Sequence, residues 1–95
     1  MDLKLTVDGK IITAPRPKVG HLKAYLRLIS ERENKDPLQA MQDDIDFTLS
    51  LFSDDGTVKL DEYKLDMKEV MQARKDSDAW IDQFMPGAEK NGKAR

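Results

Sequence analysis

The chain has 95 residues, of which 36% are charged and 39% hydrophobic, and a formal net charge of -2. That length gives one small domain with a thin core, because such a chain buries only about 60–65% of its unfolded surface, and it excludes a multidomain enzyme. It has no cysteine for disulfides or thiolate metal sites, no apolar run near the roughly 18–20 residues of a membrane span, and no signal-peptide layout at its start, so a soluble cytoplasmic protein is expected.

Leu3, Leu5 and Val7 alternate with Asp2, Lys4 and Thr6, the period-two pattern of a half-buried strand. Asp8-Gly9 follows, then Lys10 to Ala14. Asp-Gly between two β-favouring runs predicts a hairpin over 2–14, because both central residues of a type I′ turn need positive φ. Pro15 and Pro17 end the second strand. A helix is predicted over about 18–34, with Val19, Leu22, Leu26, Ile29 and Tyr25 on its inner face. Asp36-Pro37 restarts the chain as an N-cap followed by a first-turn proline. The helix predicted from there, over 37–53, carries two apolar faces. One holds Leu38, Met41, Ile45, Leu49 and Phe52, and the other Ala40, Phe47 and Leu51, which makes it central or half-covered by a partner. After the turn at Asp54-Asp55-Gly56, Thr57 is expected to cap a short helix over 58–64 with Leu60 and Tyr63 inward. Asp66, with Glu69 three residues on, starts a last helix over 67–85. Its seam is read as Met67, Val70, Met71, Ile81, Phe84 and Met85, interrupted by Arg74 and Asp78. Residues 1–87 thus form a single α+β domain, a hairpin with three main helices and one short one, and 88–95 a flexible tail.

Little in this chain converges as catalytic or ligand-binding chemistry. His21 is the lone histidine, with no partner to complete a zinc set. Ser30, Ser50, Ser53 and Ser77 lack the glycine-elbow context of a nucleophile. Asp43, Asp44 and Asp46 spread around a helix and read as a solvated acidic face. Residues 51–62 match a calcium loop at Asp55, Gly56 and Glu62 but place Leu51 at its first position and Lys59 at its ninth, so a plain acidic turn is the better reading. No glycine-rich phosphate loop is present. The chain is therefore expected not to be an enzyme, and to need neither metal nor cofactor.

The small net charge hides an asymmetry. Residues 1–35 carry eight Lys/Arg against four acids, residues 36–85 five against thirteen, and residues 86–95 three against one. The basic third alone gives no recognition-helix pattern, and the acidic remainder would repel phosphate. Such a dipolar chain can stack head to tail with copies of itself. Met41, Met67, Met71 and Met85 fall on predicted helical stripes. They either pack a small core or form an adaptable groove for a partner segment.

One order of features resembles a known family. A Leu3-Lys4-Leu5-Thr6-Val7-Asp8-Gly9-Lys10 opening leads to a short strand and to Pro15-Arg16-Pro17-Lys18. A basic amphipathic helix follows, then an acidic helix with Asp46-Phe47 and Leu51-Phe52, a Thr-initiated short helix with acids from Thr57 to Glu62, and a final helix. Over residues 3–85 this resembles the tail assembly chaperones of long-tailed bacteriophages that infect Gram-positive bacteria. The resemblance implies a protein without catalysis that works in the host cytoplasm and is absent from the finished virion. It would bind the phage tape measure protein, keep it soluble and help tail-tube protein polymerise around it, with a longer form made by ribosomal frameshift near Asn91-Gly92-Lys93. The client surface is expected at Phe47, Leu51, Met71, Trp80 and Phe84. On this reading Phe47→Ser with Leu51→Ser abolishes client solubilisation and leaves helicity intact. The rival readings are a virion structural protein (a head–tail connector or minor tail component) and a small nucleic-acid-binding regulator.

Overall fold

A computed structural model of the chain describes residues 1–86. The expected tail over 88–95 and the Gly87 boundary lie outside the described residues. The order is β1 (Lys4–Val7), β2 (Lys10–Thr13), α1 (Val19–Glu31), α2 (Pro37–Ser50) and α3 (Met67–Asp82). Single 3-10 turns lie at Arg32–Asn34 and Glu62–Lys64. The architecture is the expected α+β one.

The hairpin follows from its turn. Asp8 and Gly9 have φ of 52° and 81°, the two positive values that match a two-residue connection to the twist of the strands. The register pairs Val7 with Lys10 and Leu5 with Ile12. Leu3 and Leu5 are buried and Ile12 packs behind them, whereas Ile11 faces out. One face of the ribbon therefore covers α3. Two further ties fix β1 there: the Thr6 amide donates to Glu69 Oε1 at 2.5 Å, and Val7 forms an isolated antiparallel bridge with Leu65.

Helix α1 presents an unexpected face. Its buried residues are His21 and Leu28, with Tyr25 and Leu22 half-buried. Val19, Leu26 and Ile29, expected inside, are exposed. At about 100° per residue the buried face lies roughly a quarter turn from the apolar stripe. His21 anchors that rotation. Its Nδ1 accepts the Lys18 amide at 2.8 Å, and its Nε2 donates to the Ser53 carbonyl at 2.7 Å. Both ring nitrogens are used, so this imidazole is a structural clip between the start of α1 and the end of α2.

Helix α2 divides along its length. Near its C-terminal end Phe47, Thr48 and Leu49 are all buried, and Leu51 just beyond joins them. This part is packed between α1 and α3. At its N-terminal end Leu38 and Met41 stand in solvent. The two apolar faces seen in the sequence thus belong to a helix that is central at one end and open at the other.

The connection after α2 differs from the expected short helix over 58–64. The Thr57 amide and hydroxyl donate to Asp55 Oδ1, at 3.1 and 2.7 Å, so Thr57 closes an Asx-type turn and caps no helix. Only one 3-10 turn forms, capped by Asp61 through the Tyr63 amide. Leu60 is half-buried, but the Tyr63 side chain projects fully into solvent.

Helix α3 starts where the sequence places it. The Asp66 carboxylate accepts the Glu69 amide at 3.0 Å. Its buried seam, however, is Val70, Ala73, Arg74, Ser77, Trp80 and Ile81. Ala73 and Ser77 are small, and they let α2 and β1 approach closely. Arg74 Nη1 donates to Asp78 at 2.9 Å and to Ser77 Oγ at 3.1 Å, while Nε donates to Asp44 at 3.1 Å. The guanidinium lies 5.7 Å from the Phe47 ring centroid. Nε and Nη1 are thus both paired with oxygens, as a largely buried charge requires.

Candidate functional site

The five residues expected on the client surface separate into two groups. Phe47, Leu51 and Trp80 are 6%, 1% and 2% exposed and lie in the core. Phe47 stacks tilted on Tyr25 with centroids 5.8 Å apart, and Trp80 meets Phe84 edge-on at 5.5 Å. A partner cannot reach these three side chains without opening the fold. The physical reason is the close approach of α3: small residues in its seam bring Trp80 inward, and Phe47 and Leu51 fill the space between α1 and α3. Met71 and Phe84 are half-buried and line two surface grooves.

The larger groove runs between the N-terminal halves of α2 and α3. It encloses about 540 Å³ over Met41, Ile45, Met67 and Met71, with Lys68 and Lys75 on its rim. A recess of about 210 Å³ continues it inward over Leu49, Leu65 and Val70, with Glu62 at its edge. Met67 is 75% and Met41 52% exposed, so neither thioether is packed away as a core residue would be. Flexible, polarizable side chains along two adjoining helices make a surface that can fit differing apolar partners. The signal for Met71 was its helical stripe. Met41 and Met67 lay on stripes as well, but nothing in the spacing separated an open stripe from a buried one.

A smaller groove lies at the opposite end of α3. Pro17, Val19, Leu22, Ile81, Phe84 and Met85 line about 150 Å³ there. Arg16 covers part of this end, with its guanidinium 5.2 Å from the Phe84 ring centroid. The exposed stripe of α1 extends from this groove through Leu26 to Ile29.

Ion pairs reshape the charge pattern. Two of the eight cations of the basic third, Arg32 and Lys35, turn onto acids of α2. Arg32 meets Asp44 at 3.3 Å, and Lys35 pairs with Asp43 while also reaching Glu31 at 3.4 Å. Lys64 reaches back to Asp8 at 3.6 Å. The Lys35 ammonium, as the main hydrogen-bond donor, holds the Asp43 carboxyl below the usual carboxylate range. The Asp55 carboxyl is lowered further, first by the Ser53 hydroxyl and then by the Thr57 hydroxyl and amide. The asymmetry that could drive stacking of copies is therefore partly neutralised within one molecule.

Among the described residues no three His, Cys, Asp or Glu side chains converge as a metal site, and no helix is long and apolar enough to cross a membrane. No family model, curated protein or solved structure matches this chain.

Proposed function

We propose that this chain is a phage tail assembly chaperone. It binds the tape measure protein in the host cytoplasm, keeps that long helical client soluble, promotes tail-tube polymerisation around it, and stays out of the finished particle. The methionine-lined groove between α2 and α3 carries the reading. A holdase needs open apolar surface that adapts to its client and enough charge to remain dissolved, and it needs no converging polar set. The family resemblance over residues 3–85 supplies the client. Burial of Phe47, Leu51 and Trp80 moves the proposed contact from those side chains to Met41, Met67 and Met71, with Phe84 at the second groove.

The test is co-expression with the tape measure protein of the same phage. The parent chain should raise the soluble fraction of that client. Met41→Ser with Met67→Ser should return it to the level of the client alone. Both side chains are exposed, so the pair should shift the melting temperature by no more than about 2–4 °C. A client equally soluble with and without the parent chain defeats the proposal. Mass spectrometry of purified particles separates it from the structural-protein reading, which requires the chain in the virion.

A further inference from the structure

We infer that the α2–α3 groove takes an amphipathic helix whose flank is acidic, with carboxylates two turns apart set against Lys68 and Lys75. The inference rests on the chaperone reading for the identity of that helix as a segment of the client, and on the groove itself for its chemistry.

The floor selects an apolar stripe. Met41 and Ile45 on α2 face Met67 and Met71 on α3 across an open furrow. A helix laid into such a furrow buries residues at i, i+3, i+4 and i+7. The rim selects the charge. Lys68 and Lys75 lie seven residues apart along α3, about 10 Å at helical rise. Neither is within ion-pairing distance of an acid among the described residues, whereas Arg32, Lys35, Lys59, Lys64 and Arg74 all are. Asp43 and Asp44 of α2 are turned to Lys35, Arg32 and Arg74, and Asp76, next to Lys75, accepts the Gln72 side-chain amide at 3.1 Å. Glu62 borders only the inner recess. The acidic excess of residues 36–85 does not reverse this local preference, because exposed charges beyond about 8 Å are screened at physiological salt.

Two occupants from this chain itself fit poorly. The exposed stripe of α1 has the right spacing, but Lys23 and Arg27 beside it would meet Lys68 and Lys75 as like charges. Residues 87–95 carry Lys90, Lys93 and Arg95 against Glu89, and no large apolar side chain. A separate acidic helix satisfies both floor and rim.

The experiment uses two labelled synthetic helices of about 18 residues with the same leucine stripe, one flanked by Glu and one by Lys, titrated into the full chain and followed by fluorescence anisotropy. The Glu peptide should bind about tenfold tighter at low salt, and the gap should shrink towards twofold at high salt, as two exposed ion pairs allow. Lys68→Glu with Lys75→Glu should reverse the preference, with far-UV circular dichroism confirming that the variant is folded. Equal binding of the two peptides, or a preference unchanged in the charge-reversed variant, overturns the inference. So does binding to vesicles of anionic phosphatidylglycerol without binding to the Glu peptide, which would make the surface a lipid contact. The chaperone reading fails separately. It falls if Met41→Ser with Met67→Ser leaves client solubility untouched, and it survives if that pair abolishes solubilisation while the two peptides bind alike.

Discussion

Replacing Phe47 and Leu51 together by serine should unfold this protein. Both side chains are in the core, at 6% and 1% exposure. Truncating a buried Phe typically costs about 3–5 kcal/mol and a buried Leu about 2–5 kcal/mol. Phe47 also loses its contact with Tyr25 and the Arg74 guanidinium above its ring. The two positions lie one turn apart and share neighbours, so their costs need not add in full. Even so, about 5–10 kcal/mol stands against a total stability of about 5–14 kcal/mol for a domain of this length, and a thin core places it in the lower part of that range. Far-UV circular dichroism at 25 °C should show loss of helix and no cooperative melt. The single change Leu51→Ala gives a graded version, lowering the melting temperature by about 10–30 °C. If the double variant keeps its helicity and melts within about 5 °C of the parent, the packing of α2 between α1 and α3 is wrong, and these side chains return to the list of client contacts.

Arg74→Leu should destabilise by about 1–3 kcal/mol in urea unfolding, less than loss of one partner from a fully buried pair, because Asp78 is largely exposed and Asp44 keeps Arg32. An unchanged or raised midpoint would show that the cluster does not support the fold. Acid should loosen the turn around Asp55. Its carboxyl is depressed in the folded state, so its contribution is complete above the unfolded value near 4 and is lost as pH falls towards the lower folded value. Melts taken between about pH 6 and pH 2 should fall more steeply for the parent than for Asp55→Asn, and parallel curves would refute the linkage.

Local chemistry was legible in the sequence. Asp8-Gly9 dictated the hairpin because those residues accept positive φ, Pro37 marked a helix start through its fixed φ while the Asp36 side chain makes no cap hydrogen bond, and Asp66 marked the next through its carboxylate. The class, a hairpin and three helices in that order, followed from these punctuation marks. The faces did not. Periodicity locates an apolar stripe on a helix, but it cannot say whether another element covers that stripe. On α1 the His21 clip rotates the helix and leaves Val19, Leu26 and Ile29 outside. On α3 the residues that permit closest packing are Ala73 and Ser77, which carry little hydrophobic signal, so Trp80 looked peripheral and is central. On α2 one continuous pattern serves a buried end and an open end. The tertiary arrangement alone decided that four apolar side chains, Met41, Ile45, Met67 and Met71, border a groove while Phe47 and Leu51 close the core. It also decided how much of the charge asymmetry survives as surface. Arg74 finds Asp44 on a helix 30 residues away, Arg32 and Lys35 find acids on the helix that follows them, and Lys68 and Lys75 remain at the groove's edge. Covering a surface requires a second element in the right place, and only the packed chain supplies that information.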